Sequence, residues 1–143
     1  MIKGATILLI LSALAAIATH VWHPSAPVWY LAQLEAGVNE VTMEDIQTRW
    51  RNDVLWIDAR TQERYDQGHV PGALLLNEFN RDNALFENLE KLQTAGKPIV
   101  IYCDGQKCEA SHKMREYLSE SAGLPDVWVL TGGWPAWEQN AVN

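Results

Sequence analysis

The stretch Ile99-Val100-Ile101-Tyr102-Cys103, continuing through Asp104-Gly105-Gln106-Lys107-Cys108 into Glu109-Ala110-Ser111-His112, decides how this sequence folds on paper. The apolar run 99–102 predicts a strand buried on both faces, as a parallel sheet requires. A polar loop, Asp104 to Lys107, leads to Cys108 and a helix from about Glu109 to Ser121, with Met114, Tyr117 and Leu118 on its apolar face; Gly123 and Pro125 stop it. A residue that ends a buried strand just before a helix N-terminus sits where an open α/β sheet places its ligand. There the loop N–H groups and the helix dipole favour an anion. The same field favours thiolate over thiol, so Cys103 is expected to have a lowered pKa and to act as a nucleophile. Lys107 adds to this effect, whereas Asp104 and Glu109 oppose it. The segment Asp104, Gly105, Gln106, Lys107, Cys108 and Glu109 is the expected substrate-binding loop.

On either side of this stretch, helical and strand-like segments alternate from residue 41 onward, the pattern of an α/β domain with a mainly parallel central sheet flanked by helices. Thr42-Met43-Glu44-Asp45 has the form of a capping box and opens a helix through about Arg51. Val54 to Ile57, ended by Asp58, and Ala73 to Leu76, after a Gly-rich turn, read as strands. Residues 83–94 place Leu85, Phe86, Leu89 and Leu92 at helical spacing, and Gly96 with Pro98 ends that helix. Val127 to Leu130 forms the last strand, followed by Gly132-Gly133 and a short helix around Trp134 to Gln139.

The chain has 143 residues with 18 acidic against 11 basic side chains, a formal charge of −7. One small domain fits this length. The acidic balance argues against a nucleic-acid partner, since phosphate binding needs a basic face. Two cysteines, Cys103 and Cys108, are too few for a disulfide-built scaffold.

Residues 1–38 contain only Lys3 and Glu35 as charged side chains, so the whole negative balance lies in residues 39–143. Ala5 to Ala18 is a charge-free apolar run behind Lys3, the form of an export signal or membrane anchor. Ala16-Ile17-Ala18 fits a cleavage site, whereas Trp22, Trp29 and Tyr30 fit the interfacial aromatics of a retained hydrophobic helix. Residues 1–22 are accordingly expected to be a signal peptide or transmembrane anchor, 23–40 a linker and 41–143 the folded domain. That domain is then expected on the outer, periplasmic side of the cell membrane. No cysteine near position 20 supports a lipoprotein.

Three further segments accompany Tyr102-Cys103: Asp58-Ala59-Arg60, Gly68-His69-Val70-Pro71-Gly72-Ala73, and Leu130-Thr131-Gly132-Gly133-Trp134 complete a set of four that, in chain order, resembles the rhodanese-like domains over nearly all of residues 40–140. The resemblance implies a three-layer α/β fold and sulfur transfer. Cys103 would take a sulfane sulfur from a donor such as thiosulfate, become a persulfide, and pass the sulfur to a thiol acceptor. It implies a scaffold role for Asp58, Arg60, His69 and Gly72. No cofactor or metal is called for.

The chain also departs from that family. Many active relatives carry a basic residue about five positions after the cysteine, where this sequence has Cys108, and the loop is longer by one or two residues. Related phosphatases need an arginine five or six residues past the cysteine to clamp an oxyanion; Cys108 and Glu109 fill those places and argue against phosphatase chemistry. Cys108 could instead act as a resolving thiol, attacking a Cys103 persulfide and leaving a disulfide, or be an inert loop residue. A metal site of Cys103, Cys108 and His112 lacks a fourth ligand. Ser111 and His112 are expected to be a cap and a solvent-facing residue. Two rivals to the sulfurtransferase therefore stand: a thiol–disulfide redox protein built on Cys103 and Cys108, and a non-catalytic rhodanese-like binding module.

Overall fold

The structure is a computed structural model that describes residues 38–105 and 109–141. The apolar N-terminal run and its linker to residue 37, together with Gln106, Lys107 and Cys108, lie outside the described residues. Among the described residues no helix is long and apolar enough to cross a membrane.

Five parallel strands form one sheet: β1 (Glu40–Val41), β2 (Leu55–Asp58), β3 (Leu74–Leu75), β4 (Ile99–Tyr102) and β5 (Val127–Leu130), in the order β1-β5-β4-β2-β3. Every pairing is parallel, and β4 lies at the centre, with Asp58 opposite Tyr102 and Ile101 opposite Val129. Five helices connect them: α1 (Met43–Trp50), α2 (Gln62–Gln67), α3 (Arg81–Thr94), α4 (Glu109–Glu120) and α5 (Gly133–Ala141).

All four residues of β4 are buried. Their alternation divides the core in two, as the two-residue period of a strand requires. Ile99 and Ile101 join Leu92 of α3 with Met114 and Leu118 of α4 on one face. Val100 and Tyr102 join Val41, Ile46 of α1 and Leu130 on the other, where Trp50, Trp56, Trp128, Trp134 and Trp137 pack around them. Each such apolar side chain, fully buried, contributes about 1.5–3 kcal/mol. A strand that supplies both layers therefore anchors the domain.

The α/β class, the central sheet and the order of elements match the expectation, and the box is present: Thr42 Oγ1 accepts from Asp45 N at 3.1 Å while Asp45 accepts from Thr42 N at 2.9 Å. That hydrogen bond to the Thr42 backbone holds the Asp45 carboxyl below its ordinary value. Two elements are additional. β1 is two residues long and begins at Glu40, a position the sequence assigns to the linker, and α2 presents no buried residue, so neither leaves a hydrophobic period to read. Phe86 is a correction: it is 85% exposed, because Leu85, Leu89 and Leu92 form the inward stripe of α3 and Phe86 points a third of a turn away.

Candidate active site

Cys103 follows β4 directly and is 2% exposed, at the base of an open cleft of about 360 Å³. Ala59, Thr61, Asn77, Phe79, Ala110 and Met114 supply the rest of the uncharged lining. The Cys103 sulfur is engaged in a disulfide. The sequence contains one other cysteine, Cys108, outside the described residues, as are the loop positions Gln106 and Lys107.

The position of Cys103 is fixed from behind. Tyr102, fully buried, donates its hydroxyl to Asp58 Oδ2 at 2.7 Å and accepts from Val70 N at 3.1 Å. Asp58 also accepts from Arg60: from its backbone N at 2.9 Å, Nε at 3.0 Å and Nη2 at 2.7 Å. Arg60 Nη2 reaches on to the Gly68 carbonyl at 2.6 Å, and the guanidinium lies 4.5 Å from the centre of the Trp134 ring. Burial alone lowers the Arg60 pKa, but the hydrogen bonds and charge of Asp58 outweigh it and the net shift is upward. Burial also drives the Tyr102 hydroxyl well above the ordinary tyrosine value, a direction that its hydrogen bond to Asp58 reinforces.

The Gly132-Gly133-Trp134 turn closes the brace. Trp134 N donates to the Cys103 carbonyl at 2.7 Å. Gly133, at φ +58°, comes so near that a Cβ there would lie 2.4 Å from the Cys103 oxygen and 2.9 Å from Gly105 N. Only glycine fits that approach. Gly72, at φ +81°, has nothing within 4 Å of a Cβ and serves its turn through conformation alone.

His69 stands apart from the cleft. Its ring stacks on Tyr65 with centroids 3.7 Å apart, and Nδ1 lies 2.9 Å from the Tyr65 carbonyl.

The mouth of the cleft is polar and mixed in charge. Arg81 and Lys113 line it together with Glu78, Asp104 and Glu109, while the buried Arg60 touches the cleft from behind. Glu109 is paired with Lys113 at 2.8 Å; that hydrogen bond lowers the pKa of Glu109 and raises that of Lys113. Asp104 faces Arg64 at 4.0 Å. The opposition of Glu109 to a thiolate is thus partly neutralised on its own helix.

One side chain differs from its expected place. Ser111, expected as an exposed cap, is 1% exposed, and its Oγ lies 3.5 Å from the Cys103 sulfur. It occupies the inward face of α4 together with Met114 and Leu118. His112 is exposed as expected, and its Nε2 lies 3.2 Å from Glu40 Oε1. Among the described residues there is no cluster of His, Cys, Asp and Glu suited to a metal ion. Asn77, which nothing in the sequence singles out, is 6% exposed and donates to the Arg60 carbonyl at 3.0 Å. Its Oδ1 accepts from Phe79 N and Asn80 N, shaping the turn into α3 at the cleft wall. The Asn-x-x-Asn spacing at 77–80 is the local signal for that turn.

The rhodanese-like domain family model matches residues 42–140. The chain is 32% identical over 88 residues to the thiosulfate sulfurtransferase GlpE of Pseudoalteromonas translucida, covering 62% of this chain and 76% of that one. It is 33% identical over 129 residues to the tRNA uridine(34) hydroxylase of Bacillus licheniformis, covering 80% of this chain and 37% of that larger protein. The solution structure of a rhodanese-like domain from Anabaena superposes with a TM-score of 0.56 at 23% identity, covering 73% of this chain and 76% of that one, a likeness of fold.

Proposed function

The chain belongs to the rhodanese-like domain family, with a sulfur-related function, and from this premise we propose that it is a sulfurtransferase working through a persulfide on Cys103. The observation that carries the reading is the place of the sulfur: at the end of the central strand, at the base of a cleft, ahead of the α4 N-terminus.

The reduced Cys103 thiolate attacks the sulfane sulfur of a donor such as thiosulfate; the new S–S bond forms as the donor's breaks, and its electron pair leaves on sulfite. An acceptor thiolate then attacks the outer sulfur of the persulfide. The S–S bond to Cys103 breaks, its electron pair returns to Sγ as thiolate, and the acceptor departs as a persulfide. Because Cys103 is disulfide-bonded in the structure, a thiol reductant must first open that bond by exchange.

The same disulfide favours a second reading, a thiol–disulfide redox protein in which Cys103 and Cys108 cycle. The apolar run Ala5 to Ala18 behind Lys3 supports a companion proposal, that the domain is exported or held at a membrane, where such a disulfide persists.

The test uses the purified full-length chain, reduced, and follows thiosulfate-dependent sulfur transfer to a thiol in the wild type, Cys103→Ser and Cys108→Ser. Transfer lost in Cys103→Ser and kept in Cys108→Ser supports the sulfurtransferase. Disulfide reduction that needs both cysteines, with no transfer, supports the redox protein. Neither activity in any form leaves a binding module, and full transfer in Cys103→Ser sinks the assignment.

A further inference from the structure

We infer that Ser111 stabilises the Cys103 thiolate by donating its hydroxyl hydrogen to the sulfur, and so sets both the attack of Cys103 on a donor and its departure from the persulfide. This rests on the sulfurtransferase reading and adds a group that the family motifs quoted above do not contain.

The geometry is direct. Ser111 Oγ lies 3.5 Å from Cys103 Sγ, with Ser111 1% and Cys103 2% exposed. A disulfide sulfur carries no hydrogen, and neither does a thiolate, so in both states the serine is the donor of that contact. Its placement is secured by packing: Ser111 is on the buried stripe of α4 with Met114 and Leu118, so helix rotation cannot turn it to water.

The other groups around the sulfur weigh less. The Gly105 carbonyl, also 3.5 Å from Sγ, is an acceptor and opposes a thiolate. The charged side chains lining the cleft are Arg60 from the segment after β2, Glu78 and Arg81 from the entry to α3, Asp104 from the loop, and Glu109 and Lys113 from α4. Arg60 is committed to Asp58, Lys113 to Glu109, and Asp104 faces Arg64. The Arg60 charge is offset by the Asp58 carboxylate it contacts, and the exposed charges are screened by solvent. A buried neutral donor in direct contact acts in a lower dielectric and is not screened.

In the first half-reaction the hydroxyl favours the attacking thiolate. In the second, as the S–S bond breaks and charge returns to Sγ, the same hydrogen bond strengthens. That is a contact made more favourably in the transition state than in the persulfide.

The test measures iodoacetamide alkylation of Cys103 against pH in the reduced full-length chain carrying Cys108→Ser, so that one thiol reports. Ser111→Ala is expected to raise the alkylation midpoint by about one pH unit, the scale of a lost hydrogen bond to a charged group. Ser111→Thr, which keeps the hydroxyl, is expected to restore the midpoint. An unchanged midpoint in Ser111→Ala overturns the inference, and so do equal shifts in the alanine and threonine variants, which would assign the effect to packing. Sulfur transfer by the same proteins is read separately. A shifted midpoint without transfer in any form retains the serine contact and removes the sulfurtransferase reading; transfer with an unmoved midpoint does the reverse.

Discussion

The two sides of Cys103 are built on opposite principles. Behind it, Asp58, Arg60, Tyr102 and Trp134 form a dry network in which the Asp58 carboxylate accepts from both Arg60 and Tyr102 and the guanidinium reaches on to a backbone carbonyl. In front of it, Asp104, Glu109, Lys113 and Arg81 are exposed, and Phe79, 82% exposed, stands at the rim. The rear fixes where the sulfur sits, while the front sets what approaches it. Substitutions behind Cys103 should therefore act on stability first, and substitutions in front on rate with stability unchanged.

The sharpest attempt to break that contrast is Gly133→Ala. Its Cβ would collide with the backbone of Cys103 and Gly105, and neither can yield without moving the loop. Strain at the positive φ and the collision together are expected to cost about 3 kcal/mol or more in urea unfolding. Gly72→Ala, strained in φ alone, should cost only about 1 kcal/mol. Equal costs would mean that the close approach is not important.

Of similar size is Asp58→Ala, which strands the buried Arg60 charge and is expected to cost about 3–5 kcal/mol. Adding Arg60→Met should recover part of the loss, and a merely additive double variant would argue against a network.

Tyr102→Phe removes one hydroxyl from the same network, with an expected cost of about 1–3 kcal/mol at neutral pH. Its pH dependence has a definite sign. The folded-state pKa of Tyr102 is raised, so its contribution is complete below the ordinary tyrosine pKa near 10 and is lost as pH rises through the folded value. Between wild type and Tyr102→Phe, the stability gap should be constant below about pH 10 and narrow above it; a gap that widens with alkali would contradict the assignment.

At the front, Lys113→Gln should leave the urea midpoint unmoved, since Lys113 and Glu109 form an exposed pair. It should slow reaction with an anionic donor at low salt, and the difference should fade at high salt. A clear loss of stability there would erase the distinction between the two sides.

This contrast also explains what the sequence reveals. β4 and Cys103 are legible because an uninterrupted apolar run ended by a cysteine has few other readings, and the box at Thr42 is legible because its hydrogen bonds are local. The elements passed over, β1 and α2, are held by pairing and by position and bury too little to leave a period. Phe86 is exposed although its spacing suits the inward stripe, because spacing alone does not separate a stripe residue from its neighbour. Ser111 escaped because a polar residue in a helix reads as surface by default, and only the rotation of α4 against β4, fixed by Met114 and Leu118, turns it onto the sulfur. The partners of Asp58 are Arg60, two residues on, and Tyr102, 44 residues away. The near partner is visible as a motif, whereas the distant one needs the register of β2 against β4.

The central claim, that Cys103 carries the sulfur, is tested most directly by the mass of the peptide containing it after the reduced full-length Cys108→Ser chain has been incubated with thiosulfate. The expected result is a peptide one sulfur atom heavier, whose added sulfur is lost on treatment with a thiol acceptor. A folded, reduced protein whose Cys103 peptide gains no sulfur, or in which the added sulfur maps to another residue, would contradict it.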